Sequence, residues 1–202
     1  MNNLIIDLGG TLISTKKNGV YTTIWQWLQD KTTLIKTNND KIKLASLILC
    51  GQSKREVLKQ ISEFYQLNIN QKEKLKSILK NITHDSFILE NSMEILKAFK
   101  HANFQITFAT NVASWIPLPQ NELLNFADHY YSSTNLKVNK QDLKFWEILL
   151  SQIRINIKQS IVIGDSYSSD IENPKKLGFS TFLFNPKSKI SLLNTLDQIT
   201  PP

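Results

Sequence analysis

The chain has 202 residues, of which 41% are hydrophobic and 20% charged, with a formal net charge of +7. That is enough to bury a core, as one large domain or a domain carrying an insertion, and it excludes a disordered chain, because no segment combines low hydrophobicity with Pro, Gly or Ser bias. The positive charge comes from scattered lysines and only Arg55 and Arg154, without a basic block, so nucleic acid is not an expected partner, whereas small anions would be steered toward the surface.

No apolar run approaches the ~20 residues of a membrane helix, and the N-terminus lacks a basic stretch leading into an apolar signal core. No membrane partner is expected, and the expected compartment is the cytoplasm. The lone Cys50 cannot pair within the chain; beside Ile42, Ala45 and Leu49 it reads as a buried structural thiol.

In chain order, Leu4 to Leu8 is a short apolar run that stops at Gly9 and Gly10, the pattern of a buried strand ending in a tight turn. From about Tyr21 to Ile82 the periodicity is helical: Ile24, Trp27 and Leu28, then Val57, Ile61, Phe64 and Tyr65, then Leu75, Ile78, Leu79 and Ile82. A helix follows over Asn91 to Ala102, with Asn91 and Glu94 placed to form a capping box. Strands are expected at Gln105 to Thr110, His129 to Ser133, Ile161 to Ile163 and Thr181 to Phe184. Between them lie helices Gln141 to Ile153 and Asp170 to Leu177, the latter stopped by Gly178. Strands alternating with helices imply a Rossmann-like α/β fold, a parallel sheet of about five strands whose ligands bind at the carboxyl ends of the strands. The all-helical stretch 14–90 reads as an inserted cap, leaving 1–13 and 91–202 as the core.

Four strand ends carry polar groups: Asp7 with Gly9, Gly10 and Thr11; Thr110 and Asn111; Lys140; and Gly164, Asp165 and Asp170. Their order and spacing resemble the haloacid dehalogenase superfamily, in its capped phosphatase branch. Asp7-Leu8-Gly9-Gly10-Thr11-Leu12 is similar to the first motif, Ala109-Thr110-Asn111 to the second and Val138-Asn139-Lys140-Gln141-Asp142 to the third. Ile163 through Asp170 matches the fourth in full. The resemblance covers nearly the whole chain, the cap alone lacking recognisable motifs.

The resemblance implies that Asp7 is a nucleophile forming an aspartyl-phosphate, and that the substrate is a small phosphorylated molecule. Thr110 and Asn111 would donate to phosphate oxygens, and Lys140 would stabilise both phosphate and Asp7. Gly10 and Thr11 would line the phosphate pocket. Asp7, Asp165 and Asp170 gather negative charge that a hard divalent cation would neutralise, and Mg²⁺ is the cofactor implied, with the carbonyl of Gly9 completing the protein ligands. The protein is expected to be a monomer or homodimer.

Position 9 departs from the family, which carries there a second aspartate that protonates the leaving oxygen and activates water. Glycine carries no proton, and general acid–base help is typically worth ~100- to 10,000-fold. Three readings follow: a phosphatase for leaving groups of low basicity, or one that borrows an acid from the region of Lys16, Lys17 and Tyr21; a dehalogenase-like hydrolase; or a silent protein that binds phosphate or a partner. His84, His101 and His129 lie in no motif. Trp25 and Trp27 fit cap packing, and Trp115, with Pro117 and Pro119, forms a stiff loop just after Asn111.

Overall fold

Alternation of Leu4 and Ile6 against Ile5 sets the fold's centre: in β1 (Asn3–Ile6) the first two face one apolar cluster and the third faces another, all wholly buried. The computed structural model describes residues 2–15, 19–31, 37–82, 86–116 and 121–185. In chain order the elements after β1 are β2 (Ile13–Thr15), α1 (Val20–Lys31), α2 (Asn38–Leu49), α3 (Lys54–Phe64), α4 (Ile69–Lys80), β3 (Ser86–Ile88), α5 (Ser92–His101) and β4 (Gln105–Thr110). They continue as α6 (Asn121–Leu124), β5 (His129–Ser132), α7 (Ser133–Leu136), α8 (Leu143–Gln152), β6 (Ser160–Gly164), α9 (Asn173–Lys176) and β7 (Ser180–Leu183).

Five strands form one parallel sheet in the order β5-β4-β1-β6-β7. The chain leaves β1 in one direction to β4 and β5, then returns to the other side for β6 and β7, which places the switch in winding at β1, where such sheets bind ligands. On one face α5 packs Ile95, Leu96 and Phe99 against Leu4, Ile6, Ile106 and Phe108. On the other, α8 packs Phe145, Trp146 and Leu149 against Ile5, Ala109 and Val162.

Helices α1 to α4 bury an apolar cluster of their own, with Ile24, Leu28, Leu44, Ile48, Val57, Ile61, Leu75 and Leu79 at its centre. The stretch expected to be all-helical opens and closes on strands: β2 and β3 pair antiparallel, Ile13 opposite Ile88, in a ribbon between these helices and the sheet. On α2 the buried positions are Leu44 and Ile48, four apart on one face; Ile42 is exposed and Cys50 only half-buried, which corrects the reading of that stretch. Phe64 is likewise exposed. Asn91 does not cap α5 through its side chain, because it adopts a left-handed conformation (φ 65°) that closes the preceding turn. Gly178 is left-handed (φ 92°), as expected of a residue that ends a helix.

Candidate active site

The site begins where β1 stops. The main-chain N–H of Asp7 donates to Ile163 O at 2.9 Å, so the residue is still held by the sheet while its side chain clears the end of the strand. The chain then turns within one helical loop: Leu8 O accepts from Thr11, Leu12 and Ile13 N at 3.3, 2.9 and 2.8 Å. Gly10 takes φ 87° in this loop, and its Cα lies so close to the Asp165 carboxylate that a Cβ would collide with it. Gly164 backs onto the Asp170 carboxylate in the same way. These two glycines let main chain and carboxylates share one small volume.

Asp7, Asp165 and Asp170 each bring a carboxylate oxygen within 4.8 Å of the others. Asp170 stands on a π-helical turn (Tyr167–Glu172) after β6, where its carboxylate accepts from Ser166 N at 3.0 Å. Lys140 lies among them almost wholly buried, its Nζ 2.5 Å from Asp7, 2.6 Å from Asp170 and 2.7 Å from Ala109 O. Burial pushes the Asp7 carboxyl up to about 7; Lys140 opposes this, and Asp170 and Asp165 add to it. Asp165, the most open of the three, is also raised, by desolvation and by Asp170. Burial tends to discharge Lys140, but Asp7 and Asp170 more than offset this and raise its pKa.

Three carboxylates against one ammonium leave two negative charges, the charge of one divalent cation. The donor set is all oxygen, which suits a hard ion such as Mg²⁺, so these residues fit the group. Substituting either crowded glycine should loosen the cluster. Gly164→Ala and Gly10→Ala are expected to weaken Mg²⁺ binding by on the order of 10- to 100-fold, read by titration calorimetry beside circular dichroism.

Thr110 ends β4 and Asn111 follows it directly, and both line the cleft that holds Asp7. Thr110 Oγ1 accepts from Val112 N at 3.0 Å, which leaves its hydroxyl hydrogen to donate. The main-chain N–H of Lys140 donates to Asn111 Oδ1 at 2.9 Å, and Ser133 Oγ donates to the same oxygen. A main-chain N–H can only donate, so the amide orientation is settled and Asn111 Nδ2 is the group left to bind an anion.

The cleft has a volume of about 700 Å³. Its floor is Asp7, Gly9, Gly10, Lys140, Asp165 and Asp170, and its far wall comes from Tyr21 on α1 and from Ile48 and Leu49 on α2. Thr11 departs from expectation: it is wholly buried, it does not line the cleft, and its hydroxyl has no hydrogen-bond partner among the described residues. Trp25 and Trp27 pack within the α1–α4 cluster, and Trp115 joins that cluster from the sheet side. His129 contacts Gln105 at 2.9 Å on the sheet's edge and His101 ends α5 exposed; neither lines the cleft. Lys16, Lys17, His84, Pro117 and Pro119 lie outside the described residues. Ser133 and Ser169 reach the site without having been singled out in the sequence; Ser132-Ser133-Thr134 at a strand end reads only as a helix cap.

A sheet wound outward from its central strand, with a carboxylate and a buried lysine at that strand's end and a two-aspartate loop beside them, is a Rossmann-like α/β fold with an acidic cleft at its switch point. The chain belongs to the haloacid dehalogenase-like hydrolase family, whose model matches residues 4–184. It is 26% identical over 102 residues to the pyrimidine 5'-nucleotidase PynA of Streptococcus pneumoniae; the match covers 48% of this chain and 43% of that protein. In fold it is similar to a predicted HAD-like family hydrolase from Porphyromonas gingivalis, at TM-score 0.67, 15% identity and coverage of 100% of this chain and 99% of the other. A HAD family enzyme from Bacteroides thetaiotaomicron, solved with magnesium and inorganic phosphate, superposes at TM-score 0.64 with 17% identity, over 96% of this chain and 98% of that one. Among the described residues no helix is long and apolar enough to cross a membrane.

Proposed function

We propose that the chain is a Mg²⁺-dependent phosphatase of a small phosphorylated metabolite, working through an aspartyl-phosphate on Asp7, with 14–90 as a cap over a core formed by 1–13 and 91–202. The observation that carries this reading is the buried ammonium of Lys140 held against both Asp7 and Asp170, with Asp165 in the same cluster. Asp7, Asp165, Asp170 and the Gly9 carbonyl would hold Mg²⁺, which when bound neutralises the carboxylates and the substrate phosphate.

An oxygen of Asp7 attacks phosphorus, the ester P–O bond breaks, and the leaving group departs with its electron pair. Thr110 Oγ1 and Asn111 Nδ2 donate to the non-bridging oxygens, while the Lys140 ammonium, whose hydrogens go to Asp7, Asp170 and Ala109 O, stabilises the charge developing there through its own positive charge. Water then attacks the phosphorus of the aspartyl-phosphate, releasing phosphate and restoring Asp7. Since Gly9 holds no proton for the leaving oxygen, acyl, aryl and sugar 1-phosphates are favoured over alkyl phosphates. The likeness to PynA puts pyrimidine nucleotides in the first screen.

The test is phosphate release from p-nitrophenyl phosphate and acetyl phosphate with and without Mg²⁺. Gly9 also supports a second reading, in which the site binds phosphate without turning it over; Mg²⁺ binding with no release from either compound would favour it.

Cation binding should also show in stability. An Asp7 carboxyl raised from 3.8 to about 7 favours the folded state fully below about pH 4, and that contribution is lost as pH rises through 7. Mg²⁺ restores what ionisation removes. At saturating Mg²⁺ the melting temperature is expected to rise by roughly 5–10 °C at pH 8 and by much less at pH 5.5, measured by scanning calorimetry. Equal shifts at both pH values would separate the cation from Asp7.

A further inference from the structure

We propose that Ser133 and Thr134 are positioning residues that tie the seat of helices α1–α4 to the placement of Lys140. The proposal takes its meaning from the reading of Lys140 as part of the active site, whereas its test does not depend on turnover.

The last carbonyls of a helix have no partner within the helix, and at the end of α2 two of them are taken by groups from the sheet side. Thr134 Oγ1 donates to Leu49 O at 2.9 Å, and Trp115 Nε1 donates to Ile48 O at 3.4 Å. The Thr134 hydroxyl also accepts from Ser114 N at 3.1 Å, so its one hydrogen and a lone pair are both in use at a site 3% exposed. Ile48 and Leu49 wall the cleft, so whatever fills the cleft presses on the residues whose carbonyls are held here.

The neighbouring residue faces the other way. Ser133, wholly buried, donates to Asn111 Oδ1, the oxygen that also receives the Lys140 main-chain N–H. Both residues open α7, a single turn started by Ser132 Oγ accepting from Asn135 N at 3.1 Å and ended by Lys137 in a left-handed conformation (φ 55°). So short a turn, closed at both ends, moves as one piece. A shift of Leu49 therefore reaches Thr134, then Ser133, Asn111 and the main chain of Lys140, whose ammonium lies 2.5 Å from Asp7. Trp146 Nε1 holds Lys140 O at 3.2 Å, so its main chain is anchored on one side by α8 and on the other by this relay.

The experiment is amide hydrogen exchange on the ¹⁵N-labelled full chain with Mg²⁺. Thr134→Val keeps the shape and removes the hydroxyl, while Thr134→Ser keeps the hydroxyl and loses a methyl. Thr134→Val is expected to speed exchange of the Lys140 amide by about 10-fold, Ser133→Ala by at least as much, and Thr134→Ser to stay near wild type. The Ser114 amide, which loses its acceptor in Thr134→Val, reports that the bond is broken. Faster exchange at Ser114 with Lys140 unchanged would overturn the proposal, as would Thr134→Ser disturbing Lys140 more than Thr134→Val. Should Thr134→Val not fold, Trp115→Phe loosens the same junction through Ile48; a Lys140 amide unaffected by it would equally overturn the coupling. With p-nitrophenyl phosphate, Thr134→Val is expected to lower kcat several-fold at unchanged KM. A wild type that releases no phosphate refutes the phosphatase reading and leaves the exchange result to decide this one.

Discussion

Asp7→Asn is expected to abolish Mg²⁺-dependent phosphate release, with a loss on the order of 10⁴-fold or more, the scale seen when an attacking group is removed. Asn has the same shape, so the change removes the nucleophilic oxygen without opening a cavity. Lys140 keeps its contacts to Asp170 at 2.6 Å and to Ala109 O at 2.7 Å, so its buried ammonium is not left unpaired. The carboxyl that is lost resists ionisation in the folded protein, its pKa pushed up to about 7 chiefly by burial. In the absence of cation at pH 8 the variant should therefore melt no lower than wild type, while losing most of its response to Mg²⁺. A folded Asp7→Asn retaining a tenth of the wild-type rate would refute covalent catalysis by Asp7, and a variant that melts well below wild type would show that Asp7 holds the fold.

The features legible in the sequence were those whose signal is local. Apolar runs ending in Asp and Gly marked β1 and β6, and one ending in Thr110 and Asn111 marked β4; each of those strand ends does bring its polar residues to one cleft. The helical period of α1, α3 and α4 held because each buries one face against the same cluster. Less legible were features set by tertiary contacts. The pairing of Ile13 with Ile88 joins residues far apart in the chain through three-residue strands too short to show alternation. Asn91 has the composition of a cap, but its left-handed backbone turns its side chain away from that role. On α2 the apolar residues are so many that periodicity could not choose between the face of Ile42 and that of Leu44. Thr11 stands in a motif yet does not line the cleft; it lies wholly buried in the tight loop from Leu8. Ser133 and Thr134 acquire their contacts only when α2 and the loop after β4 come together.

Gly9→Asp is expected to raise the hydrolysis of alkyl phosphates by on the order of 100-fold or more, within the range that general acid–base catalysis supplies. The backbone at Gly9 does not have the positive φ of Gly10, and among the described residues a Cβ there would meet only Val112 Cγ2, at the ordinary contact distance of 3.4 Å. Gly10 and Gly164 are glycine because carboxylates crowd them; position 9 has room, and it lines the cleft. Among the described residues the only carboxylates lining the cleft are Asp7, Asp165 and Asp170, all committed to the cation cluster, so none is left to carry a proton to the leaving oxygen. The gain should therefore depend on the leaving group: large for an alkyl phosphate, whose alkoxide needs the proton, and small for acetyl phosphate, whose carboxylate departs without one. An equal gain on both would mean that the new side chain acts after the leaving group has gone, by activating the water that attacks the aspartyl-phosphate, or acts on binding or on the cation. No gain on either, with Mg²⁺ binding intact, would mean that proton transfer does not limit this site, and that its glycine belongs to a protein that holds phosphate without hydrolysing it.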